Sequence, residues 1–179
     1  MSMRDEICNR CKEGRLVLLK PSLPDIPLTR SLFVSKAVQA FLEGPWPDES
    51  SERRSGRLRA DLETFIAGGK ISVSWVPYKA KNAYFGRLDP LVDEVWEIRS
   101  RDPRPGIRVL GSFAETDVFV ALEWRYREQL GGPKLGAEDP RWRDAIVNTK
   151  TQWRNLFISY RPHMGASLER YISENAFLI

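Results

Sequence analysis

The chain has 179 residues, of which 42% are hydrophobic, and this predicts one domain with a single core. Its 28 basic and 24 acidic residues give a net charge of +4, which permits contact with nucleic acid without requiring it. No stretch has the length of a membrane span, and residues 1–14 lack the apolar run of a secretory signal. We therefore expect a cytoplasmic protein without membrane contact.

The predicted single domain, 1–179, has three parts. Residues 1–52 form an N-terminal extension with one strand and one helix. Residues 53–130 form a core of one helix and a sheet, and residues 131–179 form a C-terminal helical extension.

Cys8 and Cys11 have the spacing of half a zinc site or of a redox pair. The only histidine is His163 and no other cysteine is present, so we predict no metal site within one chain. Two reduced thiols are the simplest interpretation. A zinc site shared across a dimer and a redox role are the alternatives.

The N-terminal half predicts a strand at 15–19, followed by an extended proline-containing connection. Thr29 or Ser31 can cap a helix that runs to about residue 43. Residues 44–51 read as an exposed loop. A second helix is predicted over 53–67, ending at Gly68-Gly69, and a strand over 70–76.

Residues 94–127 predict three antiparallel strands, divided by turn signals at 102–106 and 114–117. Alternation with period two places an apolar set on one face of these strands. This set is Trp96, Ile98, Ile107, Val109, Val118, Val120, Leu122 and Trp124. The opposite face then carries Glu97, Arg99, Arg101, Arg108, Glu123, Arg125 and Arg127.

Four-residue hairpin loops at 102–105 and 114–117 keep both sets on their faces. In that register Arg99 lies opposite Arg108, and Arg108 lies opposite Glu123. Facing arginines require compensation from Glu97, Glu123 or an anionic ligand, for which phosphate is the natural candidate. The alternative is a solvated lattice of ion pairs on an ordinary exposed sheet.

The C-terminal part predicts a helix from Asp139-Pro140 to about residue 157 and a short helix over 166–175. The predicted fold class is therefore α+β. It consists of an antiparallel β-meander with helices packed on one face, and the other face stays partly open.

Several chemistries are not supported. His163 has no nucleophile elbow, and Gly131-Gly132-Pro133-Lys134 is too irregular for a phosphate loop, so no cofactor is predicted. Cleavage of RNA by its own 2′-hydroxyl needs only positioning, a proton acceptor and positive charge for the phosphate. Arg99, Arg108 and Arg125 can supply the charge, and Glu97 or Glu123 can accept the proton. The candidates for nucleic-acid binding are Arg101, Arg125, Arg127, Lys79 and Lys81.

Residues 57–130 contain a predicted helix, then Asp93-Glu-Val-Trp-Glu-Ile-Arg99, Gly106-Ile-Arg-Val-Leu110 and Asp117-Val-Phe-Val-Ala-Leu122. This order resembles the RelE/ParE toxin superfamily, especially its HigB-like and phage-derived members. The resemblance implies a RelE-like core that cleaves ribosome-bound mRNA without a metal and is neutralised by an antitoxin. Arg108 matches the family's central-strand arginine, and Arg99 matches its Glu-x-Arg position. No residue after 130 matches the family's catalytic tyrosine or histidine.

The leading hypothesis is an RNA-binding, toxin-like protein acting as a metal-independent endoribonuclease. Its expected partners are RNA or the ribosome, an antitoxin protein and, in a homodimer, a second copy of the chain. The alternative is a non-catalytic accessory domain that binds nucleic acid or protein through the arginine-rich face.

Overall fold

The structure is a computed structural model that describes residues 1–131 and 139–179. Its helices are α1 Met3–Lys12, α2 Lys36–Glu43, α3 Glu49–Ile66 and α4 Pro140–Leu156. Its strands are β1 Leu16–Leu18, β2 Ser31–Ser35, β3 Ile71–Ser74, β4 Phe85–Arg87, β5 Trp96–Ser100, β6 Ile107–Glu115, β7 Val118–Tyr126 and β8 Ala176–Leu178. Within these ranges no helix is both long enough and apolar enough to cross a lipid bilayer.

All the described strands join one eight-stranded sheet in the order β1-β2-β7-β6-β5-β4-β3-β8. Strands β4 to β7 pair antiparallel, whereas β2 pairs parallel with β7, and β3 pairs parallel with both β4 and β8. The prediction of an antiparallel meander was therefore wrong as a fold class. The α+β composition holds, but the sheet is mixed.

One face of the sheet packs against α2 and α3. Leu58, Leu62 and Phe65 of α3 are fully buried in the same cluster as Phe85 and Trp96 of the sheet. Helix α3 begins at Glu49 because the side chain of Asp48 accepts a hydrogen bond from the Ser51 amide at 2.7 Å. This cluster is the largest apolar core of the described chain.

The other face packs against α1 and α4. Trp153 and Phe157 belong to one apolar cluster with Val120 and Leu122 of β7. Near the start of α4, Trp142 packs in a separate cluster that includes Leu110. Helices therefore lie on both faces, and the prediction of one partly open face was wrong.

The predicted alternation along β7 was also wrong. Trp96 packs on the α3 side of the sheet, whereas Leu122 packs on the α4 side. The register between β6 and β7 shifts at a bulge where Leu110 pairs with Glu123 and Gly111 pairs with Ala121. The extra residue at this point places Leu122 and Glu123 on the same side, so strict period-two counting across β7 fails.

Other elements agree with the sequence in part. The strand at 15–19, the helix at 53–67, the strand at 70–76 and the helix from Asp139-Pro140 are confirmed as β1, α3, β3 and α4. The helix predicted from Thr29 or Ser31 begins only after β2, where Ser35 caps α2. Residues 168–170 form a 3-10 turn followed by β8, in place of the predicted terminal helix. The predicted break at 131–136 lies, apart from Gly131, outside the described residues.

Both differences have the same cause. Residues 31–34 pair with β7, and within 166–175 the carbonyls of Tyr171 and Asn175 accept hydrogen bonds from the amides of Asp117 and Ile71. Distant partners thus supply backbone hydrogen bonds that a local helix would otherwise make.

Candidate functional site

Glu97 lies between two arginines on the α4 side of the sheet. Its Oε1 atom accepts a hydrogen bond from Nε of Arg99 at 2.7 Å, and its Oε2 atom lies 3.3 Å from Nε of Arg108. The Glu97 side chain is 2% exposed and that of Arg108 is 11% exposed. Glu97 therefore compensates two neighbouring guanidinium groups inside the fold.

Gly86 of β4 makes room for the Arg99 guanidinium. A Cβ atom at this position would lie 2.6 Å from a terminal nitrogen of Arg99 and 3.3 Å from Oε1 of Glu97. The Arg99 guanidinium also donates to the carbonyl of Ala80. These contacts hold Arg99 across the backbone of β4, with its charge turned towards Glu97.

The positive charge of Arg108 is balanced by weaker contacts than that of Arg99. Its pKa is lowered to about 10, mainly by burial and also by repulsion from Arg99, Arg127 and Arg101, while Glu97 opposes the change. Arg108 remains charged at neutral pH, but that charge costs free energy in this position. A bound anion would reduce this cost.

Two adjoining cavities open beside Arg108. A cavity of about 450 Å³ is lined by Arg101, Arg104, Arg108 and Arg127 together with Glu128, and a cavity of about 180 Å³ shares Arg108 and Arg127. The smaller cavity is also lined by Lys81, Glu97 and Arg99. We call Lys81, Arg101, Arg104, Arg108 and Arg127 the arginine cluster. Its basic groups can together bind a phosphate or another anion through forked hydrogen bonds.

The hairpin that carries Arg104 is attached to α3. Arg54 donates to the carbonyls of Arg104 at 2.7 Å and of Pro105 at 3.1 Å. On the other side of the cavity, Arg127 donates to the Gly131 carbonyl at 2.7 Å and lies 5.6 Å from the ring centre of Trp142. The positions of Arg104 and Arg127 are therefore set by the framework.

Tyr78 and Trp142 complete the smaller cavity, and no sequence motif assigned either residue to the site. Their rings meet edge to face, with centres 5.7 Å apart. The Tyr78 hydroxyl is buried without a hydrogen-bond partner among the described residues, and burial raises its pKa to about 12. The available signal was adjacency to basic residues, because Tyr78 precedes Lys79 and Trp142 stands between Arg141 and Arg143.

Glu123 and Arg125 lie apart from this cluster. They pair with each other and line a different cavity of about 510 Å³, together with Asn148 and Gln152 of α4. Burial raises the pKa of Glu123 above its ordinary value, although Arg125 opposes the shift. The predicted pairing of Arg108 with Glu123 is wrong, because Arg108 faces Arg125 in the observed register. The pairing of Arg99 with Arg108 is confirmed.

The remaining predicted residues lie near the surface. Lys79 is exposed in the loop after β3, and Arg101 is exposed and donates to the Asn82 side chain at 3.1 Å. Cys8 and Cys11 are free thiols on α1, and burial raises the pKa of Cys11. In the described part of the chain, no group of three or more His, Cys, Asp or Glu side chains is placed to hold a metal ion.

The resemblance to the RelE/ParE superfamily rests on the sequence motifs alone and stays a prediction. No protein-family model, no curated protein and no solved structure matches this chain.

Proposed function

We propose that this protein binds RNA through backbone phosphates at the arginine cluster. One observation carries the proposal: four arginines and a single carboxylate, Glu128, surround the 450 Å³ cavity, and the adjoining cavity adds Lys81. Phosphate contacts dominate the affinity of proteins for nucleic acid, and arginine is well suited to make them.

The electrostatics of Arg108 support an anionic ligand. Arg99, Arg101 and Arg127 all lower the pKa of Arg108, which means that their mutual repulsion acts within this site. A phosphate between these groups replaces repulsion with attraction. The ligand therefore stabilises charges that the free protein holds at a cost.

The geometry limits how RNA can approach. Helix α4 covers this face of the sheet. An RNA strand therefore cannot lie across β5, β6 and β7, as it could on an open sheet. Trp142 is 3% exposed and Trp124 stacks on Phe41, so neither ring is free to stack on a base. We infer that the arginine cluster contacts the phosphate backbone and contributes little to sequence specificity.

Cleavage of the bound RNA is a further step of the same hypothesis. It would require a 2′-hydroxyl to reach Glu97, whose side chain is 2% exposed and already paired with two arginines. Glu123, the other predicted proton acceptor, lies with Arg125 in a separate cavity. The geometry thus favours binding over cleavage, and binding is the function that we put first.

The test uses a fluorescently labelled single-stranded RNA of about 12 nucleotides and anisotropy titrations between about 50 and 200 mM salt. Arg101 and Arg104 are exposed, so Arg101→Glu and Arg104→Glu should fold. Each should weaken binding by about tenfold and reduce the slope of log affinity against log salt by about one. Arg53→Glu on α3, where the side chain is 68% exposed, is the matched control and should change neither quantity.

Unchanged affinity in both cluster variants would reject the proposal. So would equal loss in the Arg53→Glu control, because the attraction would then be a property of the whole surface. Gel analysis of the same RNA reads out cleavage, which the endoribonuclease prediction requires and the binding proposal does not. Capture of an acidic polypeptide in place of RNA would favour a protein partner such as an antitoxin.

A further inference from the structure

A further cavity, of about 590 Å³, lies at the other end of α4. It shares no lining residue with either cavity of the arginine cluster. Its walls come from α4, from the segment after α4 and from the turn before β5. This volume falls within the range of about 300–1,000 Å³ typical of small-molecule sites. We call it the α4 cavity.

One wall of the α4 cavity is aromatic. Trp153 and Phe157 line it, with ring centres 4.7 Å apart, and both side chains are almost fully buried. The indole nitrogen of Trp153 donates to the Tyr160 carbonyl at 2.9 Å, which ties the following segment to the helix. These two rings are buried behind the wall, and the apolar side chains that the cavity exposes are Val92, Ile158 and Met164. The body of a ligand can pack against these exposed side chains.

The sheet contributes a polar group to the same cavity. Ser112 of β6 pairs with Val120, whose side chain lies on the α4 side of the sheet. Ser112 is 2% exposed and lines the cavity. Its hydroxyl makes no hydrogen bond to any described residue. This hydroxyl can therefore donate to or accept from a ligand or an ordered water in the cavity.

The acidic groups of the cavity are already compensated. Asp93 pairs with Lys150 at 2.6 Å, and Glu94 accepts hydrogen bonds from Arg87 at 3.0 Å and from the Tyr171 hydroxyl at 2.8 Å. The exposed Arg154 and Arg161 also line the cavity, and within residues 1–131 and 139–179 neither makes an ion pair or a side-chain hydrogen bond. The uncompensated charge of the cavity is therefore positive.

We propose that the α4 cavity binds a small organic anion with an apolar body. The body packs against the exposed side chains of Val92, Ile158 and Met164, behind which Trp153 and Phe157 are buried. The carboxylate, sulfonate or phosphate head lies near Arg154 and Arg161, and Ser112 offers a hydrogen bond at the floor. The proposal is independent of RNA binding, because the two sites have no lining residue in common.

The probe is 8-anilinonaphthalene-1-sulfonate, which combines an aromatic body with a fixed negative charge and becomes fluorescent in apolar surroundings. Binding to the full chain should saturate at one site. Arg154→Glu and Arg161→Glu should each weaken it by about tenfold, because each removes a charge-assisted contact and adds repulsion. Lys20→Glu changes an exposed lysine outside the cavity by the same charge and should leave the affinity unchanged.

The uncharged analogue N-phenyl-1-naphthylamine supplies the second comparison. It has nearly the same aromatic body without the sulfonate, so we expect it to bind about tenfold more weakly and to ignore the arginine variants. Equal binding of both probes, or equal affinity of the sulfonate for all three charge variants, would overturn the proposal. Competition between the sulfonate and RNA would also overturn it, because the two sites would then not be independent. If the protein did not bind RNA but bound the sulfonate as described, only the RNA-binding proposal would be rejected.

Discussion

Glu97 balances the buried charge on the α4 side of the sheet. Its two carboxylate oxygens contact different arginines, Arg99 through a hydrogen bond and Arg108 through an ion pair without hydrogen-bond alignment. A buried ion pair adds little net stability when it is intact, because desolvation offsets most of the attraction. Removing only one partner of such a pair is costly, because the charge of the other partner is left buried without compensation.

We therefore expect Glu97→Ala to lower the free energy of unfolding by about 3–5 kcal/mol. The loss leaves Arg99 and Arg108 facing each other across β5 and β6 with no carboxylate between them. Urea denaturation followed by circular dichroism measures the change.

The matched control is Glu49→Ala, which removes an ion pair with Arg53 in which both side chains are largely exposed. It should cost less than about 1 kcal/mol, because water screens exposed pairs. Similar losses in the two variants would mean that Glu97 is not the partner on which the buried arginines depend.

At the scale of elements, α4 determines which parts of the sheet remain accessible. Its buried residues alternate with exposed ones at helical spacing, and the buried set includes Trp142, Ile146 and Trp153. The same helix borders the arginine cluster through Trp142 and the α4 cavity through Trp153. One element thus separates two candidate sites on the same face.

Replacing Trp153 with alanine tests this packing. Trp153 is 2% exposed and contacts the cluster that contains Val120 and Leu122, so Trp153→Ala should cost about 3–5 kcal/mol. Thermal or urea unfolding gives the value.

Val147 on the same helix is 51% exposed and supplies the control. Val147→Ala should change stability by no more than about 0.5 kcal/mol. If Trp153→Ala lowered the free energy of unfolding by no more than Val147→Ala does, α4 would not pack on the sheet.

At the scale of the whole molecule, the sheet is a covered central layer. Strands β5, β6 and β7 lie in its middle, whereas β1 and β8 form its edges. Strand β6 has a partner strand on each side and is buried through most of its length, from Val109 to Ala114. Its amides can reach water only if a large part of the structure opens.

We expect the amides of β6 to exchange with deuterium most slowly of all the strands, and those of β8 to exchange much faster. Strand β8 has a partner on one side only and exposes Phe177 and Leu178. Hydrogen exchange followed by NMR or mass spectrometry measures both. Comparable rates for β6 and β8 would contradict the layered arrangement.

The local sequence pattern was sufficient to predict many of the helices and strands of this protein. Apolar residues at helical spacing predicted α3 and α4, and alternation predicted β3 and β5. Of the two predicted cross-strand pairs, the pair of Arg99 with Arg108 is observed. The turn signals also predicted the hairpin between β5 and β6 in the observed register. These features depend on contacts between residues close in the chain, which the sequence displays directly.

Only the tertiary structure decided the rest. The bulge at Leu122 moved the end of β7 by one residue and separated Glu123 from Arg108. Residues 31–34 form a strand because β7 supplies their hydrogen bonds, and residues 171 and 175 accept hydrogen bonds from distant amides in place of a local helix. Helix α4 covers the face that the pattern alone left open, so the arginine cluster lines cavities beside this helix and does not lie on an open platform. The physical reason is that pairing register and coverage depend on contacts between residues far apart in the chain, and the local pattern of a sequence does not show which distant segments meet.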